Sequence, residues 1–287
     1  MYSILATDKS DQFVRVFTTY PPSISTPTSN TAEYPITDAA VTIQSGGTTY
    51  PLFLATLPRT DSSRYTTPIY AYRSIGLSLQ YGATYALQIQ SPSVGNLSAT
   101  LTVPSQPGML MNQRWVLERP GLYLPTEKMQ MTATIPPGAA AYLFRLLISY
   151  DVLEESGWVR KRAEIPARFR GDLHTLENAI YGQVTRVQTP AVVNAYTAGV
   201  YTAVLGDVYE RTKPYKLVFN YAILQFVQLE KNFYHYYSSV KGFQDPFSIR
   251  LDQSNYSNIV NGAGIFAGCT VDSLVQILPN DFTFNRR

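Results

Sequence analysis

The chain has 287 residues, enough for about two domains at roughly 150 residues each. Charged residues make up only 15%, against ~25% in an ordinary soluble domain, and polarity comes instead from Thr, Ser, Gln, Asn and 22 Tyr. The net charge of +3 is too small and local for a nucleic-acid binder, one cysteine excludes an intramolecular disulfide or multi-thiolate metal site, and no apolar run reaches the ~18–20 residues of a membrane helix.

The first hundred residues read as a β-sandwich. Gln12–Phe17 is a strand with Phe13 and either Val16 or Phe17 buried, and Pro21–Pro35 is a loop whose prolines cannot sit in a central strand. Val41–Gln44 and Thr48–Phe53 flank Ser45-Gly-Gly47, a hairpin signal because glycine tolerates the positive φ of such turns. In Leu79–Gln90, the residues Tyr85, Leu87 and Ile89 alternate with Ala86, Gln88 and Gln90 at a period of two. Gly82-x-x-Tyr85 ahead of that strand resembles the tyrosine corner of immunoglobulin-like and fibronectin-like sandwiches. Leu97–Val103 alternates too, and Pro104–Gly108, with two prolines and a glycine, marks a linker.

This predicts domains at 1–104 and 105–287, the second larger and also β-rich. Met129–Ile135 alternates, and Tyr142–Tyr150 with Trp158–Arg162 forms a long hairpin around Glu154–Gly157. Val200–Leu205 and Tyr215–Phe226 read as further strands. Two helices are expected. One, near 172–181, places Leu173, Leu176 and Ile180 on one face; the other, near 228–241, repeats Leu229, Phe233, Tyr236, Tyr237 and Val240 at helical spacing. The basic cluster Arg160, Lys161, Arg162, Arg168 and Arg170 reads as a solvated strand face with Asp151, Glu154 and Glu155 as partners.

Candidates for chemistry are few. His174 and Glu177 are three apart, but a zinc site needs three or four protein ligands and nothing nearby completes the set. His235 faces away from the core side of its helix, and Cys269, in or next to a strand, has no neighbouring base. Gly262-Ala-Gly264 precedes a strand pattern and so lacks the helix N-terminus of a phosphate cradle. These readings leave no catalytic residue, no cofactor and no metal. Trp115, Trp158 and the tyrosines serve either the cores or an exposed recognition patch.

Several segments carry a resemblance. Gly82–Ile89 and Ser98–Pro104 are followed far downstream by Phe233-Tyr-His-Tyr-Tyr237, Asp245-Pro246-Phe247, Ser257-Asn258-Ile259 and Asn261-Gly262-Ala-Gly264-Ile265-Phe266. Together they resemble a family of Bacteroidota outer-membrane lipoproteins without assigned activity, often encoded beside TonB-dependent receptors; Asp245 stands where that family often has Asn. The resemblance implies export, an acylated cysteine upstream of Met1, residence at the outer membrane or cell surface, and an outer-membrane or TonB-dependent partner. It transfers no catalytic residue. Asn258 and Asn261 are expected to bond backbone in turns, Gly262 and Gly264 to permit close approach, and Ile265 and Phe266 to anchor the last sheet, with Tyr85, Phe233, Tyr237, Pro246 and Phe247 completing the structural motif.

The leading expectation is thus a non-catalytic binding or accessory protein of the cell envelope. A self-assembling subunit of a surface filament and a glycan-binding module are the alternatives, and an enzyme acting on glycan or peptide stands behind them.

Overall fold

A computed structural model describes residues 1–18, 33–59, 67–112, 128–172, 175–213, 215–242 and 256–277. The fold is mainly β with two α-helices, as the composition requires. The first strands are β1 (Tyr2–Ala6), β2 (Gln12–Val14), β3 (Ala40–Ser45), β4 (Thr48–Leu57), β5 (Ile69–Ser74), β6 (Thr84–Ser91) and β7 (Gly95–Thr102). Then come β8 (Gly108–Asn112), β9 (Lys128–Thr134), β10 (Ala141–Glu154), β11 (Gly157–Ile165), β12 (Arg168–Phe169), β13 (Ala179–Ile180), β14 (Thr185–Arg186) and β15 (Ala191–Thr197). Helix α1 (Ala198–Thr212), β16 (Lys216–Leu229), helix α2 (Lys231–Gly242) and β17 (Ile265–Ile277) complete the order.

The chain divides into two compact units. The first holds residues 1–106, 137–140 and 228–270. It takes in more than the expected 1–104, because the chain returns: the first half of β17 pairs in parallel with β1, Tyr2 opposite Ile265 and Ala6 opposite Cys269. Its main sheet runs β2-β5-β4-β3-β6-β7. The sheet curls at β4, whose first half pairs with β3 and whose second half pairs with β5. Leu52 is buried, Phe53 and Leu54 are both exposed, and then Ala55 turns partly inward, so the alternation slips by one residue at the bend. Leu5, Val14, Ile43, Tyr85, Leu87, Ile89, Leu101 and Phe266 fill the core between the curled faces.

The second unit holds 107–136, 141–227 and 271–287. In it β10 and β11 form the predicted hairpin, and β15-β9-β8 forms an antiparallel sheet that buries Met129, Met131 and Ala133. Arg160 pairs with Asp151 at 2.9 Å, and Lys161 with Glu154, as a solvated strand face should.

Three element expectations change. Val200–Leu205 is not a strand but part of α1, because Tyr201, Val204, Leu205 and Val208 bury one helical face despite their β-branched and aromatic neighbours. Of the helix expected near 172–181, Leu173 and His174 lie outside the described residues, and the described part holds a 3-10 turn, Leu176–Asn178, inside a tight pairing of Arg168 with Ile180 and Phe169 with Ala179. None of that turn's residues is buried, so no core face holds a longer helix. The second helix starts at Lys231 and not at 228, since Gln228 and Leu229 end β16 with both side chains in the core.

Candidate functional site

The candidate site belongs to the first unit and is built largely by the segment 256–264. That segment is tied down at each step. The Asn258 carboxamide accepts the Phe266 N–H at 2.9 Å and donates to the Phe266 C=O at 2.7 Å. The Ser257 hydroxyl accepts the N–H groups of Ile259 and Gly264. Asn261 takes a left-handed φ of 60° and donates from its side chain to the Asn96 C=O at 3.3 Å. Gly264 lies against the Met1 backbone at φ 123°, where any Cβ would collide with the Met1 carbonyl. A Cβ on Gly262 would sit 2.9 Å from Leu97 Cδ2.

One consequence is a partly covered sheet edge. The alternate residues Asn96, Ser98 and Thr100 turn their polar backbone away from β6. The Asn261 side chain takes the Asn96 C=O, Val260 exchanges both backbone bonds with Ser98, and the Asn232 side chain reaches the Thr100 C=O at 3.4 Å. An edge strand covered this way at the Ser98 backbone and the Asn96 and Thr100 carbonyls is blunted as a template for another chain.

The other consequence is a cleft of about 560 Å³. It is lined by residues 261–264 and Ser257, by Val16, Phe17 and Thr18, by Val94 and Leu97, and by Tyr2, Tyr236 and Tyr256. Tyr2 meets Tyr236 edge-on, ring centroids 6.0 Å apart. Burial, and then the adjacent Tyr236, push the Tyr2 phenol above its ordinary value. Tyr256 is raised too, by burial first and then by Glu230; its hydroxyl donates to Asn232 Oδ1 at 2.6 Å. Apart from these phenols, the ionisable group among the lining residues is the Met1 α-amino group, which donates to the Ala263 C=O at 2.8 Å and whose pKa burial lowers. The size suits a ligand site, and the lining suits contact and hydrogen bonding.

Helix α2 is aimed by its cap. The carboxylate of Glu230, buried, accepts the N–H groups of Asn232 at 2.8 Å and Phe233 at 3.0 Å. Burial dominates and raises its pKa, with the backbone donors opposing. Phe233, Tyr236 and Tyr237 are half-buried on this helix, while His235 is exposed and stacks on Tyr256 at 5.4 Å.

The remaining predicted residues divide clearly. Ile265 and Phe266 are fully buried in β17. Tyr85 is buried, and its hydroxyl accepts the Gln80 N–H at 2.8 Å, five residues upstream, which is tyrosine-corner geometry. Pro246 and Phe247 lie outside the described residues, as do Trp115 and His174. Cys269 is buried in β17, its pKa pushed up to about 12 by burial first and by Asp8 and Glu230 next. Among the described residues no group of three or more His, Cys, Asp or Glu is placed to hold a metal. Tyr2, Phe17, Val94 and Tyr236 join the cleft without having been singled out as site residues; only the aromatic run of α2 signalled one of them. No protein-family model matches this chain, and no curated protein matches it.

Proposed function

We infer that this chain is a non-catalytic binding or accessory protein of the cell envelope, lipid-anchored at the outer membrane and working with a TonB-dependent transporter. The observation that carries the binding role is the cleft of the first unit, aromatic and amide-lined, with no carboxylate or imidazole side chain among its lining residues. Such a lining holds a ligand by contact area and hydrogen bonds. The envelope placement rests on the resemblance of residues 82–104 and 232–266 to the lipoprotein family. The partly covered edge of β7 weighs against filament growth through that strand.

Fractionation of native cells tests the placement, and affinity purification from detergent-solubilised membranes tests the partner. The protein is expected in the outer-membrane fraction with a TonB-dependent receptor, and Tyr236→Ala is expected to reduce recovery of the receptor. Recovery in the cytosol, or in membranes with no receptor, overturns the reading.

A further inference from the structure

The charges of the first unit avoid one face of its main sheet. Residues 40–58 and 74–113 contain no Asp, Glu, Lys or Arg, and these spans supply β3, β4, β6 and β7. The alternation that buries Val41, Ile43, Leu87, Ile89, Ala99 and Leu101 turns the residues between them outward. Strand register then lines those residues up in rows. Pro51, Thr42, Gln88 and Ser98 stand opposite one another across β4, β3, β6 and β7, and the bridge from Ser98 to Val260 carries the row one step further. Thr49, Gln44, Ala86 and Thr100 form the next row. Gln44, Thr49, Thr84 and Ala86, with the turn Ser45-Gly-Gly47, line a depression of about 350 Å³ in this face. Among the described residues, the side chains of Thr42, Gln44, Gln88, Ser98 and Thr100 bond to no other protein group.

We propose that this face binds a neutral polysaccharide, an extended β-1,4-linked chain laid across the strands along these rows. The site is separate from the cleft and does not depend on it. A solvent-facing surface ordinarily carries roughly 25–35% charged residues of both signs, and the two rows carry none. Charged side chains cost most to strip of water. Hydroxyls and amides exchange a bond to water for a bond to a sugar hydroxyl at little net cost. An ionic ligand meets no counter-charge here. A protein partner meets no Trp, Tyr or Arg in either row, the residues that anchor such interfaces. Spacing supplies the fit to a glycan. Neighbouring strands lie about 4.7–4.9 Å apart, close to the advance per sugar of an extended β-1,4-linked chain, so successive sugars along a row each meet a fresh side chain. The depression beside Gln44 and Thr49 gives the second row a seat for one ring.

The test follows the isotope-labelled protein by NMR, with cellohexaose, xylohexaose and mannohexaose as neutral probes and hexagalacturonic acid as the charged one. Saturable shifts at the amides of Thr42, Gln44, Gln88, Ser98 and Thr100 are expected with at least one neutral hexaose and not with the acid. Gln88→Glu sets a charge in the middle of a row and is expected to weaken binding at least about tenfold. Gln44→Ala removes an amide from the depression and is expected to weaken it about threefold or more. Ser10→Glu, exposed between β1 and β2, is expected to bind as the original does; retention of the native spectrum shows each variant folded. Four outcomes overturn the proposal: no shift with any neutral hexaose at millimolar concentration, equal shifts with the acid, shifts confined to residues outside the rows, or unweakened binding by both glutamine variants. Shifts of the same amides on raising protein concentration alone, with dimer formation, mark a second copy as the occupant and also overturn it. Glycan binding by a protein that recovers no receptor from membranes leaves this face standing and removes the envelope reading, and receptor recovery without glycan binding does the reverse.

Discussion

The carboxamide of Asn258 meets the backbone of Phe266 through two hydrogen bonds, 2.9 Å to the N–H and 2.7 Å from the C=O. A side chain here does what a neighbouring strand does elsewhere, closing the β17 ladder at a residue whose own side chain is wholly buried. Asn258→Ala would leave both Phe266 backbone groups without these partners. The expected loss is roughly 2–6 kcal/mol, since each of the two polar groups left unpaired costs about 1–3. Chemical denaturation reads it, and a midpoint equal to the original would rule out this role.

Phe266→Ala should also be costly. The ring lies in the core with Met1, Leu5 and Leu101, and removing a buried phenylalanine costs about 3–5 kcal/mol. Thermal unfolding is expected to shift down as a single transition for the first unit. An unchanged midpoint would mean that the C-terminal block is not part of that core.

Tyr85→Phe isolates the corner hydroxyl. Only the bond from the Gln80 N–H is lost, while the ring stays buried, so about 1–2 kcal/mol is expected. Full stability in this variant would show that water replaces the phenol at the Gln80 amide.

Glu230 gives the fold a pH signature of definite sign. Its folded pKa is raised, chiefly by burial, above the ordinary 4.5. The folded protein therefore binds the proton more tightly than the unfolded chain. The resulting stabilisation is full below 4.5 and is lost as pH rises through the higher folded value. Melting temperature of the native protein minus that of Glu230→Gln should fall across this window and be flat on either side. A difference that rises instead would mean that the capping bonds to Asn232 and Phe233 outweigh burial.

Cys269 should be silent to thiol reagents until the chain unfolds. Its thiol is buried and its pKa is pushed up to about 12, so thiolate is scarce at neutral pH. Colour development with a disulfide reagent is expected only in denaturant. Rapid labelling of the native protein would show that β17 opens locally.

What was legible in the chain was local. Tyr85, Leu87 and Ile89 alternate because side chains of a strand point to opposite faces, and they are buried together. Gly46 and Gly47 turn the first hairpin with φ of 56° and 80°, values that glycine adopts freely. The glycines and asparagines of 258–264 announced close contacts without saying with what. Short windows misled where one local preference was read without its neighbours: Val200–Leu205 has strand-forming residues, but its burial repeats at helical spacing out to Val208.

The sequence by itself determined the β-rich class, the first hairpin, the β10–β11 turn and the tyrosine corner, since each follows from backbone geometry over a few adjacent residues. Only the tertiary structure decided that β17 lies beside β1, that Val260 and Asn261 cover part of β7, and that Phe17 and Tyr236 line one cleft. Those neighbours are separated by more than 160 residues in every case, and what brings them together is the burial of one shared core, a quantity that no local pattern contains.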